Sequence, residues 1–231
     1  MGRNGHPING ARAIMGSRIH PRRAHDLFCT PPWATRALVQ RVLRERFGYF
    51  GHPDQQTVWE PACGLGHMAE ALREYTSVWA TDKYSSGYED LKTDFLLFKK
   101  FDIFDWIITN PPFLDKTEAF VLRALQLAQV GVAMFVRLQW LEGCGRYSRI
   151  FSKHPPTLIA FFAERVNLCK GRWDPDGTTA TAYVWLVWVK GKAPMPPFWI
   201  PPGQRESLTM PDDRERFTKR PVIKKNRTCT L

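Results

Sequence analysis

The feature that most limits the fold is an alternation of short apolar runs with helical stretches. "TVWE" (57–60) reads as a strand, and "CGLGHMAEALREY" (63–75) as a glycine turn entering a helix. "SVWATD" (77–82) and "FDWIIT" (104–109) are further strands, a helix is expected over 116–129, and "GVAMFVRL" (131–138) is the next strand. Parallel neighbours need long crossovers, and helices supply them, so this order predicts an α/β fold with a mostly parallel, doubly wound sheet. Two later runs, "TLIAFFAER" (157–165) and "TAYVWLVWVK" (181–190), have no helical pattern between them. They predict an antiparallel pair at one edge. Upstream, "CTPPWATRALVQRVLRERF" (29–47) predicts a helix capped by Thr30 with Pro31 in its first turn. Its apolar face carries Ala34, Leu38 and Val42, with Arg36, Gln40 and Arg44 opposite. Asp115 and Glu118 suggest a capping-box start for the 116–129 helix.

With 231 residues, 44% of them apolar, the chain suits one domain with a sizeable core. The formal charge of +11 is concentrated at the ends. Residues 1–25 hold five Lys/Arg and no acid, residues 203–231 hold eight against four, and the middle is nearly neutral. Three parts follow: a basic, flexible arm over 1–25, a domain over 26–190, and a Pro-rich, then basic, surface-wrapping tail over 191–231. Basic ends favour a polyanionic partner, nucleic acid first.

The five cysteines (Cys29, Cys63, Cys144, Cys169, Cys229) contain no CxxC pair, and the six histidines lack metal-ligand spacing. Reduced thiols in a cytoplasmic protein and no metal site are expected. The start lacks the apolar core of a secretory signal. The longest apolar run, 181–189, is too short to span a bilayer as a helix, so a soluble protein without a membrane partner is expected.

Two stretches carry chemistry. In "IITNPPFLD" (107–115) the apolar strand of Trp106, Ile107 and Ile108 runs into Asn110, Pro111, Pro112 and Phe113. Proline has no N–H to give a ladder, so the strand stops in a stiff loop, and the C-terminal ends of such strands are where open α/β sheets bind ligands. In "VWEPACGLGHMA" (58–69), Gly64 and Gly66 stand where a strand turns into a helix, which lets backbone approach a ligand closely. Asp82 ends the next strand, where an acid can accept hydrogen bonds from ribose hydroxyls. Gly64-x-Gly66-x-x-Ala69 also fits a dinucleotide fingerprint, and alone it leaves the cofactor open. Glu60, at the strand end ahead of the glycines, opposes a pyrophosphate and favours a cofactor with a cationic, amine-bearing part.

Together, "EPACGLG" (60–66) and "TNPPF" (109–113) resemble the class I S-adenosylmethionine-dependent amino-methyltransferases, in particular the DNA N6-adenine methyltransferases. The catalytic motif of that family is Asp/Asn/Ser-Pro-Pro-aromatic, and Asn at its first place leans towards adenine N6. "DLFCTPP" (26–32), "TDFLLF" (93–98) and "RVNLCKGRWDPDGTTATAYVW" (165–185) resemble further family segments, so the likeness covers roughly residues 26–190. The motif order is like that of the gamma group, in a short form with no large target-recognition domain after the catalytic motif.

The resemblance implies a Rossmann-like sheet, S-adenosyl-L-methionine as cofactor, and double-stranded DNA with a flipped target base as partner. It implies that Thr30 meets the cofactor carboxylate, that Glu60, Ala62, Gly64 and Gly66 shape the methionine pocket, and that Asp82 binds the ribose. Asp94 and Phe95 would hold the cofactor adenine. Asn110, Pro111, Pro112 and Phe113 would hold the target base, with Asn110 also touching cofactor. In the late loop, Arg172 and Trp173 are expected to be exposed, and with Arg146 in "EGCGRYSR" (142–149) to read nucleic acid. Trp140 fits either core or surface. The Asn-Pro-Pro motif also serves RNA amines (adenine N6, guanine N2) and protein glutamine amides, so those substrates stay open beside DNA.

The chemistry suits these residue types. Adenine N6 is a poor nucleophile because its lone pair is delocalised into the ring. Two fixed acceptors, the Asn110 side-chain oxygen and the Pro111 carbonyl, would favour a pyramidal nitrogen and the positive charge that builds on it. A base inside a duplex must be flipped out to be reached, and Phe113 could stack on it.

Overall fold

The structure is a computed structural model that describes residues 27–52, 56–99, 104–113 and 116–218. Eight strands build one sheet: β1 (Thr57–Glu60), β2 (Ser77–Asp82), β3 (Leu91–Lys92), β4 (Trp106–Thr109), β5 (Gly131–Arg137), β6 (Leu158–Phe162), β7 (Tyr183–Val189) and β8 (Phe198–Ile200). Their spatial order is β3-β2-β1-β4-β5-β7-β6-β8. β1 to β5 pair parallel throughout, and β7 runs antiparallel to both β5 and β6. The sheet is therefore α/β and mostly parallel, as its strand–helix alternation predicts.

Strand side chains alternate between faces, and both faces are covered. Trp106 and Ile108 of β4 join one core with α1 (Pro32–Ala37), its π-helical continuation Leu38–Arg44, and α2 (His67–Arg73). Ile107 joins the opposite core with Phe120, Val121, Ala124 and Leu127 of α3 (Thr117–Leu127). Every residue of β4 and of β7 is buried, which is why those segments read as continuous apolar runs.

From β1 the chain winds outward through β2 and β3, and from β4 it winds the other way to β5. β1 and β4 are neighbours, with Trp59 beside Ile107. This reversal opens a crevice at their C-terminal ends, where Glu60 and Thr109–Asn110 lie.

Several expectations need correction. The first helix begins at Pro32, and its cap position, Pro31, makes no side-chain capping bond. Thr30 instead accepts from Asn110. Arg36, expected on the solvent face, is fully buried. Each of its five N–H groups meets an acceptor: Nε and Nη2 bond Glu74 (2.7 Å each), Nη1 and Nη2 bond Asp213 (2.5 and 2.7 Å), and Nη1 bonds the Leu208 carbonyl (2.7 Å).

Those last partners belong to the segment expected as a surface tail. As far as Thr218 it is integral: β8 pairs parallel with β6, and α5 (Gln204–Leu208) and α6 (Asp213–Thr218) pack beneath α1 and α2. β8, not the antiparallel pair, thus ends the sheet. The expected arm over 1–25 and the chain beyond Thr218 lie outside the described residues, as does Asp115. Glu118 receives Arg149 (2.7 and 3.0 Å), and no side chain caps α3 at Lys116. No helix among the described residues is long and apolar enough to cross a membrane.

Candidate active site

A cavity of about 560 Å³ occupies the crevice between β1 and β4. Glu60 and Ala62 line it from the end of β1, and Gly64 from the turn that follows. Asp82 lines it from the end of β2, Asp94 and Phe95 from the loop after β3, and Thr30 from before α1. Asn110, Pro111, Pro112 and Phe113 close the β4 side. Residues far apart in sequence thus share one wall.

Gly66 does not line it. Gly66 sits at φ +83° as the residue before α2, with its Cα against the Tyr88 ring, so a Cβ there would collide with that ring. Gly64, at φ +51°, has the end of the Leu27 side chain where its own Cβ would go. The backbone here is in the left-handed region that glycine adopts without penalty.

Asp82 anchors the turn. Its Oδ2 accepts from Gly64 N (2.9 Å) and its Oδ1 from Tyr84 N (2.8 Å). Burial raises its pKa, and those amides work against the rise. Glu60 is buried, and its Oε2 has no hydrogen-bond partner among the described residues. Burial first, then the nearby Asp82 charge, pushes its pKa up to about 8. Asp94 bonds Lys83 Nζ (2.7 Å) and caps the short helix at Phe95–Leu97, while Phe95 is almost fully buried.

Asn110 is held by two bonds. Its Nδ2 donates to the Phe28 carbonyl (3.0 Å) and to Thr30 Oγ1 (3.1 Å). A carbonyl can only accept, so the amide nitrogen must face Phe28, and Oδ1 is left as an unpartnered acceptor. Thr117 Oγ1 donates to the Pro112 carbonyl (2.8 Å), which pins the loop and leaves the Pro111 carbonyl outside that bond. The Phe113 ring lies 5.3 Å from that of Phe28 and 6.4 Å from that of Tyr183.

The expected nucleic-acid contacts separate. Arg172 is exposed and pairs with Asp174 (3.3 Å). Trp173 is not exposed: it is 4% accessible and packs edge-on against Phe217 of α6 (6.2 Å), which corrects the expectation. A polar loop hides it because its partner comes from a distant segment. Arg146 is occupied locally. It donates to the Trp140 and Glu142 carbonyls, and its guanidinium lies 4.7 Å from the centre of the Trp140 ring. Trp140 itself is half-buried against the core.

His67 lines the cavity without having been singled out from sequence. Its Nε2 must donate to the Phe217 carbonyl (2.8 Å), so the buried Nδ1 is a bare acceptor without a partner among the described residues. Burial lowers its pKa, which keeps the ring neutral. Its place directly after Gly66 was the one available signal. Among the described residues no cluster of three or more His, Cys, Asp or Glu could hold a metal ion.

No family model matches the sequence, and no curated protein matches it. Solved structures do match its fold. One, provisionally described as a class I S-adenosylmethionine-dependent methyltransferase from Listeria monocytogenes, superposes with a TM-score of 0.53 at 13% identity, over 81% of this chain and 69% of the other. A modification subunit, provisionally assigned to a type I restriction enzyme from Vibrio vulnificus, gives 0.52 at 16%, over 82% of this chain and 51% of the other. The chain has the class I methyltransferase fold. In terms of the methyltransferase fold, Glu60, Asp82 and Asn110 stand at the C-terminal ends of β1, β2 and β4, all facing one crevice.

Proposed function

We propose that this chain transfers a methyl group from S-adenosyl-L-methionine to the exocyclic N6 of adenine in DNA. The observation that carries the reading is Asn110. Its amide nitrogen is locked by Phe28 and Thr30, and its oxygen is left as a fixed, free acceptor in the cavity wall.

The cavity fits the cofactor chemically. The orphaned Glu60 oxygen suits the cationic amino acid end, and Thr30 keeps its hydroxyl proton free to give because Oγ1 accepts from Asn110. Asp82 takes backbone N–H bonds from Gly64, Tyr84 and Lys83, and its two oxygens keep lone-pair capacity for a ribose hydroxyl. Asp94 and Phe95 suit the adenine end. When bound, the cofactor supplies an electrophilic methyl on a sulfonium, a good leaving group.

The protein's part is orientation. Asn110 Oδ1 accepts one N6 hydrogen and the Pro111 carbonyl the other, so the nitrogen lone pair is drawn out of conjugation and the developing charge is stabilised. Phe113 stacks on the extruded base, a contact worth about 1–3 kcal/mol by analogy with single-strand binders. Arg172 is exposed on the late loop, where a duplex phosphate would have to compete with its Asp174 partner. The basic ends of the chain, which extend beyond the described residues, support a polyanionic substrate.

The test is transfer of labelled methyl to duplex DNA and structured RNA side by side, followed by nucleoside identification. N6-methyladenine in DNA is expected, and Asn110→Ala should lower kcat about 100- to 1,000-fold while cofactor still binds. Label found only in RNA, or only in protein, would overturn the substrate.

A further inference from the structure

Arg137 is the last residue of β5, opposite Tyr183 in the β5–β7 ladder, and its side chain lies against Phe113 and Phe28, which line the cavity. Its guanidinium carbon lies 4.5 Å from the centre of the Phe113 ring and 5.9 Å from that of Phe28. The residue is exposed. Its surroundings differ from those of its neighbours. Arg146 and Arg149 share Glu118, Arg172 has Asp174, and Arg36 has Glu74 and Asp213. No carboxylate or hydrogen-bond acceptor among the described residues takes the Arg137 side chain.

A cation over an aromatic ring is held by the ring's quadrupole, but this uses none of its five N–H donors. Arg137 is therefore positioned by Phe113 and Phe28 while its donor fork meets no acceptor among the described residues. The turn at 169–172 adds to the same rim: Phe28 bridges Lys170, and Gly171 N donates to the Leu27 carbonyl (2.8 Å). The Arg137 guanidinium thus sits beside the aromatic group that the proposed reaction uses to hold its base. An amide side chain or a free nucleoside brings no anion to that place. A nucleotide extruded from a strand brings its own phosphates, and a guanidinium fork fits their oxygens in pairs.

We propose that Arg137 grips the phosphate beside the target nucleotide, so that the site takes a polynucleotide. This rests on the reading of the cavity as a DNA methyltransferase site.

The experiment compares the full-length wild type with Arg137→Met, which keeps an apolar contact with Phe113, and Arg137→Lys, which keeps the charge. Duplex affinity is measured between about 50 and 200 mM salt with cofactor present, together with KM and kcat for transfer. The Met variant should bind about tenfold more weakly at the low-salt end and lose about one unit of the log–log salt slope, with KM rising more than kcat falls. The Lys variant should recover the slope. A Met variant with the wild-type slope, or a Lys variant as impaired as Met, would overturn the assignment of Arg137 alone if the wild type still methylates DNA. A wild type that binds cofactor yet binds no duplex and methylates only a nucleoside or peptide would overturn both this inference and the substrate reading.

Discussion

Glu60 makes opposite demands on the empty and the filled cavity. Its carboxyl is pushed from the ordinary 4.5 to about 8, chiefly by burial and then by Asp82. A group with a raised pKa in the folded state stabilises the fold fully below its ordinary pKa, and that stability is lost as pH rises through the folded value. The cofactor-free protein should therefore lose melting temperature between about pH 5 and pH 8, and Glu60→Gln should lose less over the same window. A cationic ligand reverses the preference, because it favours the ionised carboxylate. Cofactor affinity measured by calorimetry should rise with pH towards about 8 in the wild type and stay flat in Glu60→Gln. A wild type whose melting temperature and affinity are both level across that window would contradict this account. Glu60 and Asn110 were legible because each follows an apolar run at the point where Gly or Pro interrupts it. Arg137 and His67 were not, since each reads as an ordinary member of a strand or helix, and only the aromatic rings and the Phe217 carbonyl brought to them give them meaning.

At the scale of the element, the glycine turn between β1 and α2 does two jobs, one at each glycine. Tyr88, which Gly66 faces, is 6% exposed and locked: its hydroxyl donates to Glu70 (2.6 Å) and takes a bond from Arg73, whose guanidinium also lies over the ring. A methyl at position 66 meets a ring that cannot swing, on top of the left-handed backbone. Gly66→Ala should cost about 2–4 kcal/mol in denaturant unfolding. Gly64→Ala meets only the mobile end of Leu27, so it should cost about 1–2 kcal/mol, mostly from the positive φ. Leu27 also lines the cavity, so that variant should weaken cofactor binding more than its stability loss explains. Equal stability losses for the two, or unchanged affinity in Gly64→Ala, would separate the turn from these roles. β1, β2, β4, β5 and β7 lie close to the ranges their apolar runs predict, and in β4, β5 and β7 burial on both faces writes itself into the sequence as β-branched and aromatic residues. β8, α5 and α6 were invisible because three to six residues carry no period, and short helices draw their stability from tertiary contact.

Across the whole molecule, a buried charge cluster joins the β8–β6 pairing in tying the described C-terminal segment to the core. Arg36 on α1 joins Glu74 after α2 to Asp213 at the start of α6, 177 positions away in sequence. A helical projection places Arg36 opposite the apolar face, and nothing local reveals that the opposite face is covered by α5 and α6. The side chains of Arg36 and Asp213 are fully buried, whereas Glu74 keeps 22% exposure. Removing one member of a buried pair leaves an uncompensated charge, at about 3–5 kcal/mol. Asp213→Ala should therefore lower stability by an amount near that range, and Glu74→Gln should cost less because water can still reach the position. Arg36→Met combined with Asp213→Ala should be less damaging than the two single losses added together, since the double variant leaves no fully buried charge and Glu74 keeps Arg216. The same cluster holds α6 in place, and α6 carries the Phe217 carbonyl that fixes His67 in the cavity wall. Asp213→Ala should thus also expose 209–218 to protease and weaken cofactor binding. The double variant should restore part of the protection. If cofactor affinity stays at the wild-type level while 209–218 is cleaved, the C-terminal helices stabilise the fold without shaping the site.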